Sequence, residues 1–496
     1  MSKFFRLCSC EFTKIMKKVS TKVMLIVLVI SLFASAGITA LTEKVKNLEE
    51  DYNINSDYKE EIRSSIESLK GELENDNLDQ ATKNELQASI DANQIALDND
   101  VNINQLFWKT ELITSNIQTD MENFYNLKLL GDNESADKVQ SLIDKKINLL
   151  KNDDFNGYLE QEKVDLKDKL DTGVIDKDTY DDEVYIIDLK AKYEIGKIYN
   201  VNDNWKISTL EEIKILKSNI RSGVDTLTQK VLTEKGLKEA KDNIKLNEYR
   251  LEHNYPPFVS GTSSIGSARK TYDYIVSNFT MLVLAIMIII IAGSSISTEI
   301  SKGTIKFWSF TPNKRWKILL SKLFVDTIIL LITTICITLL STVVGNVFFG
   351  SQNTQPYIYV SGESVHTISY VLFAILYNLV IGIDIFMFLL LAMMLSTVAR
   401  NTAVSVGISI AAYLGGSTVT QIINLFVKSD WIKFVPFNNL SLQDKIFSND
   451  ISYMASAMTN EMLSNTSVEF SLAVLGVCAI IMIITMFDSF RKRDIG

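Results

Sequence analysis

The sequence predicts an all-α polytopic membrane protein, with six transmembrane helices and a large helical extracytoplasmic domain inserted between helices 1 and 2. Three observations carry that prediction. Six apolar runs are each long enough to cross a bilayer, since about 20 residues at ~1.5 Å rise span a hydrocarbon core of ~30 Å. The first two runs are separated by the polar stretch 42–273, whereas the other five follow one another closely. Charge divides at the same place. Residues 42–273 hold 47 Asp and Glu against 31 Lys and Arg, while the rest of the chain holds 12 against 19. A mean hydropathy of +0.12 and a formal charge of −9 would suit a soluble acidic protein, but they average an acidic insert with a basic membrane part.

Residues 1–22 form a basic interfacial segment, with Lys3, Arg6, Lys14, Lys17, Lys18 and Lys22 against the single acid Glu11. The first span, Val23–Leu41, contains no charge. Ala34-Ser35-Ala36 resembles a small-residue cleavage site, but the apolar run continues through Ile38 to Leu41, which favours an uncleaved anchor. Cysteines stand at 8, 10, 336 and 478 and none lies in 42–273, so the insert has no disulfide framework and relies on packing. Cys8 and Cys10 adjoin the basic segment, where acylation is conceivable, although two unmodified thiols are the simpler reading.

The insert is expected to be helical throughout. Apolar residues recur at helical spacing in Tyr58, Ile62, Ile66, Leu69 and Leu73, and again in Ile113, Ile117, Met121, Phe124 and Leu127. A third stripe, Leu210, Ile213, Leu216, Ile220, Val224, Leu227 and Val231, is close to a heptad and predicts a long hairpin or coiled-coil element. Breaks are expected at Gly71, Asn75–Asn77, Gly131–Asn133, Asn152–Gly157, Thr172-Gly173 and Val201–Asn204. Pro256-Pro257 and the glycines and serines after it mark the return to the membrane. Residues 274–496 then supply spans two to six: Ile275–Ser297, Leu323–Phe349, Ser369–Val398, Thr402–Val427 and Phe470–Phe487.

Basic residues give the orientation. They crowd the segment before span one, the loop 298–322, the turn at Arg400 and the tail Arg491-Lys492-Arg493. Ser351–Thr367 contains no Lys or Arg, and acids outnumber lysines in Lys428–Glu469. The positive-inside rule then predicts a multi-pass protein of the cytoplasmic membrane with both termini cytoplasmic and 42–273 outside. The acidic insert could attract cationic ligands, or could be a solvated bundle that caps the membrane part.

No catalytic chemistry is visible. Two isolated histidines, His253 and His366, form neither a metal cluster nor a triad. Gly261-Thr-Ser-Ser-Ile-Gly266 lacks the Lys-Ser/Thr of a phosphate-binding loop. The expectation is a non-enzyme with no catalytic or metal site and no cofactor of its own. Lipid is the expected surroundings and nucleic acid is not an expected partner.

The loop after span two is the most informative short segment. It runs through Glu299, Lys302-Gly303-Thr304, Pro312 and Arg315 to Lys322, with Ile305, Phe307, Trp308, Phe310 and Trp316 interleaved among cations. Glu, Lys-Gly-Thr, Pro-x-x-Arg and a Lys entering the next span resemble the ABC-2 type permease family, the membrane subunits of ATP-binding-cassette exporters. The resemblance covers the membrane portion and not the insert. It implies two permease chains, identical or related, with two cytoplasmic ATPase subunits that bind ATP-Mg, and a coupling role for Glu299, Lys302, Gly303, Thr304, Pro312 and Arg315. It also implies an amphipathic or peptide-like cargo, such as an antimicrobial peptide. Gly303 would allow a tight turn or close backbone approach, and Arg315 could pair with an acidic ATPase surface.

Two acids lie within spans, where a carboxylate costs about 2.5–3.5 kcal/mol and needs an explanation. Asp326 follows Lys322 by four residues, so an i,i+4 pair is expected. Asp384 is mid-span, near Tyr377 and Asn378, and is expected to face the bundle interior, as an interhelical hydrogen bond or a substrate contact. Gly407, Ala411 and Gly415 repeat at four-residue spacing and permit close helix packing. The function expected is the permease subunit of an ATP-driven exporter. The alternative is a non-transporting receptor or scaffold whose inserted domain binds a partner.

Overall fold

A computed structural model describes residues 2–55, 58–75, 77–200, 203–257, 278–304, 314–349, 355–426, 430–447 and 466–492. The chain is almost entirely helical and separates into two compact units. One holds residues 1–44 and most of the chain after 257; the other holds residues 45–257.

In the membrane unit, α1 (Ser2–Lys17) buries Cys8, Glu11 and Ile15 along one face and leaves lysines on the other. It packs on α14 (Arg315–Phe349), where the Phe4 and Phe324 ring centroids are 6.0 Å apart. α2 (Val19–Asn55) contains the first span but does not stop at Leu41, because Thr42–Asn55 offers no Gly or Pro to break it. Among the described residues six helices are long and apolar enough to cross a bilayer: they lie in α2, in α12 (Asn278–Ser295) with its extension α13 (Ser297–Ser301), in α14, in α15 (Tyr370–Ala399), in α16 (Thr402–Phe426) and in α18 (Val468–Lys492). This is a multi-pass membrane protein. The boundaries expected at Ile275 and Val427 lie outside the described residues.

α15 is the hub, packing against α12, α14, α16 and α18. α12 is buried on most sides, and Gly293 lets α16 approach: a Cβ there would lie 2.7 Å from Val406 Cγ2. Large apolar side chains such as Ile26, Ile30, Ile408, Leu414, Ile480 and Ile484 point outward, as lipid-facing residues should.

Two elements of this unit were not expected. Strands β1 (Tyr357–Ser361) and β2 (Ser364–Ile368) pair antiparallel around a two-residue turn in which Gly362 has φ +66°. Tyr357 anchors the hairpin by stacking on Phe373, with centroids 4.3 Å apart. Second, part of the presumed loop after span five folds back into the helices. It comprises 3₁₀ turns at Asp430–Phe434 and Pro436–Asn439, then α17 (Leu442–Ile446). Its polar backbone is satisfied internally, with Asn438 and Asn439 donating to the carbonyls of Ile432 and Lys433 at 2.8 Å. Phe437 seats against Gly416, where any Cβ would collide with the ring.

The inserted unit is a helical assembly: α3 (Tyr58–Leu73), α4 (Gln80–Asp98), α5 (Trp108–Glu111), α6 (Gln118–Leu129), α7 (Asn133–Lys151), α8 (Phe155–Asp171), α9 (Lys177–Lys192), α10 (Asn204–Ser222) and α11 (Glu234–His253). Local chemistry sets the starts. Asp79, Asp132, Asp154, Asp176 and Thr233 each accept a hydrogen bond from the backbone N–H three residues on. Two apolar cores form. One surrounds Trp108, Leu112, Ile113, Ile117 and Tyr158; the other surrounds Trp205, Leu210, Ile213 and Leu251.

Three expectations for the insert need correction. Gly71 does not break α3, because no turn chemistry accompanies it. The 113–127 stripe is not one regular helix, since Leu112–Ile117 form a π-helical turn between α5 and α6. The near-heptad stripe stops at Ile220. Gly223 takes φ +70°, and Asn219 Oδ1 accepts from the Thr226 N–H at 3.0 Å, closing a turn that leaves Leu227 and Val231 exposed. The element is instead the hairpin alternative, with α10 and α11 packed against each other across this turn.

Candidate functional site

The sequence places Glu299 one turn beyond α12 and Lys322 two turns into α14; folding brings both against α1. The chain bends between Ser295 and Ser297, and the short α13 is tied to its neighbours through Ser297. The Ser297 N–H donates to Ser396 Oγ at 2.9 Å, and its hydroxyl lies 2.7 Å from Thr402 Oγ1. Glu299 is thereby turned inward and is 5% exposed. The Lys322 ammonium, on a side chain 2% exposed, sits 2.8 Å from Glu11 Oε2 and 2.9 Å from Glu299 Oε1. Lys14 also binds Glu299 Oε1 and lies 4.0 Å from Glu11. Two lysines and two glutamates from three elements therefore alternate in one cluster, in which Glu11, Glu299 and Lys322 are buried and Lys14 is half exposed. Next to it, burial and the charges of Lys14 and Lys322 hold the Lys18 ammonium below the usual lysine range.

This cluster corrects the account expected for Asp326. Lys322 is drawn to the two glutamates, and neither oxygen of Asp326, which is 1% exposed, has a hydrogen-bond partner. The remaining described loop residues face outward or line the turn. Gly303 has φ +68° with open space beside it, so it serves the turn and not a close approach. The Thr304 hydroxyl donates to the Glu299 carbonyl at 3.2 Å. Lys302, Lys314, Arg315 and Lys317 are exposed. Pro312 lies outside the described residues.

The other intramembrane polar residues tie helices together. Asp384 Oδ2 accepts the Ser441 N–H at 2.8 Å and so holds the start of α17. Asn378 donates to Thr338 Oγ1 at 2.9 Å, linking α15 to α14. Tyr377 packs its ring 5.7 Å from both Phe373 and Phe447. Gly407 and Ala411 are exposed, and a Cβ at Gly407 or Gly415 would meet nothing, so among the described residues their stripe packs on no helix. The close approaches fall instead at Gly293 and Gly416. Among the described residues no group of three or more His, Cys, Asp or Glu could hold a metal.

Sequence reasoning missed Glu11 and Lys14 as partners of Glu299. The available signal was a single acid in a basic amphipathic helix, which on a purely interfacial surface has no role. The cluster holds its lysines in ion pairs with its glutamates. It fastens the N-terminal helix, the segment after α12 and the start of α14 into one charged joint.

The sequence profile of a family described as a protein of unknown function (DUF2705) matches residues 247–496, half of the chain. The chain belongs to the DUF2705 family. The uncharacterized protein YhcI of Bacillus subtilis (strain 168) is 30% identical over 284 residues, 56% of this chain and 84% of YhcI. The uncharacterized membrane protein YdbK of the same organism is 29% identical over 214 residues, 43% of this chain and 78% of YdbK. No solved structure matches the chain. In DUF2705 terms, the matched region contains Glu299 and Lys322 but not α1, which supplies Glu11 and Lys14.

Proposed function

We propose that this chain is the permease subunit of an ATP-driven ABC exporter, with both termini cytoplasmic, residues 42–273 outside, and the Ser297–Lys322 segment as its coupling element. The observation that carries this reading is the joint of Glu11, Lys14, Glu299 and Lys322. A force applied to the loop reaches α1 and α14 through the buried bonds of Lys322 to Glu11 and Glu299, which resist separation because breaking them would leave an uncompensated charge. Exposed Lys302, Lys314, Arg315 and Lys317 suit an acidic surface on an ATPase. In this reading Arg315 and Lys302 contact the partner, and Glu299 positions the loop from behind. ATP-Mg is bound by two partner ATPase subunits, and a second permease chain completes the pore. An amphipathic or peptide-like molecule is the cargo.

The test is mass spectrometry of proteins co-purifying with the full chain in mild detergent, for wild type and for Lys302→Glu/Arg315→Glu. Recovery of an ATP-binding-cassette subunit with wild type, and its depletion by at least tenfold in the variant at unchanged thermal stability, supports the reading. No ATPase with either protein sinks it.

A further inference from the structure

The inserted unit contains a cavity of about 980 Å³, lined from both of its apolar cores and large enough for a ligand of short-peptide size. Its apolar wall includes Trp108, Leu142, Ile186, Ile207 and Leu210. The π-helical turn contributes Thr114, Ser115 and Asn116, and such turns are frequent at functional sites because they displace side chains from the regular helical surface.

The charged lining is unbalanced. Seven carboxylates and four lysines face the cavity. Lys146 lies 2.7 Å from Asp120 and 2.8 Å from Asp165, while Lys190 lies 2.7 Å from Glu111 and 3.8 Å from Glu162. Each of these lysines is thus shared by two carboxylates, leaving a negative charge beside each. Glu162 Oε2 is buried and makes no hydrogen bond. Burial pushes the carboxyls of Glu162 and Asp120 above the usual range, a cost that an incoming cation would relieve. Acceptors in surplus, donors in deficit and an apolar wall describe the complement of an amine or guanidine carried on an apolar body.

We propose that this cavity is a binding site for a cationic ligand with an apolar body, of the size of a short peptide, and that Glu162 receives its charge. The site lies wholly within the inserted unit and stands or falls independently of the transport reading.

The test is calorimetric titration of the full chain in phosphatidylcholine nanodiscs with arginyl-phenylalanine amide, against glutamyl-phenylalanine as the acidic control. One-to-one saturable binding of the cationic peptide, with a Kd between about 10 μM and 1 mM, is expected. Glu162→Gln, which keeps the shape, should weaken it at least tenfold. Thr114→Trp, at an exposed position of the lining, should abolish it and keeps the test decisive if Glu162→Gln fails to fold. Absence of saturable cationic binding up to ~5 mM, equal binding of the acidic peptide, or unchanged affinity in a folded variant overturns the proposal.

Discussion

In the inserted unit Lys146 of α7 sits between Asp120 and Asp165; in the membrane unit Lys322 of α14 sits between Glu11 and Glu299. The arrangements match in bond length and in the burial of the central lysine, whose side chain is 3% exposed in one and 2% in the other, although the half-exposed Lys14 adds a second cation on Glu299. They differ in what water can reach. The carboxylates around Lys146 keep 20% and 23% of their side-chain exposure, against 11% and 6% around Lys322. Wet carboxylates can be resolvated when their cation leaves; dry ones cannot. They also differ in what else holds the neighbouring helices together. α7 is bound to α6 and α8 by an apolar core that water drives shut, whereas α1 and the spans offer apolar faces that lipid would cover equally well. The same charge pattern therefore adds to a fold that already exists in the inserted unit, and decides which elements touch in the membrane unit.

The sharpest way to break this comparison is Lys322→Met. Two buried glutamates lose their one buried cation and keep only the half-exposed Lys14, a loss of about 3–5 kcal/mol for a buried pair. Because the pair is what holds α1, that helix should detach. Cys8, on the buried face of α1, reports this directly: maleimide labelling read by mass spectrometry should mark exposed Cys10 and not Cys8 in wild type, and both in the variant. Continued protection of Cys8 would mean that packing, not charge, fixes α1.

Lys146→Met should cost less, about 2–3 kcal/mol, because water reaches Asp120 and Asp165 and returns part of the lost solvation. Denaturant unfolding followed by the fluorescence of the buried Trp108 would measure it. A cost equal to that of Lys322→Met would show that water access is not what separates the two sites.

The smallest effect concerns helix starts. Asp79, Asp132 and Asp176 cap helices of the inserted unit, and their hydrogen bonds from Thr82, Ser135 and Thr179 hold each carboxyl below its ordinary value of 3.8. A depressed carboxyl contributes stability above its unfolded value, and that contribution is lost as pH falls through the folded one. Hydrogen exchange in the first turns of α4, α7 and α9 should therefore quicken below pH 3.8, while α15, capped by the Ser369 hydroxyl, should not respond. Equal responses would mean that something other than the caps titrates.

The six spans were legible because length and uninterrupted apolarity are written locally; their ends were less so. α2 runs past Leu41 because polar residues without a breaker continue a helix as readily as apolar ones. The near-heptad stripe misled at Gly223, where one left-handed residue outweighs three further apolar positions in register. Glu299 was singled out, but its partners were not, because Glu11 lies 288 positions away from it and Lys322 appeared to have a closer acid in Asp326. Spacing along one helix identifies what can pair; only the third dimension shows which pair is preferred. The small-residue stripe at Gly407 failed for a related reason, since spacing gives a face without saying what covers it.

Both apolar cores of the inserted unit draw only on residues between Tyr58 and Leu251, and the DUF2705 match begins at residue 247. Selection can therefore act on the two parts at different rates. Substitutions that repack Trp108 or Trp205 leave the spans' own contacts untouched, and substitutions in the spans leave those cores intact. A lineage could replace the insert wholesale, or refine its cavity for a new ligand, while keeping the joint of Glu11, Lys14, Glu299 and Lys322 unchanged. Diversity among relatives should then gather between residues 58 and 251, and constancy around the lysine at 322.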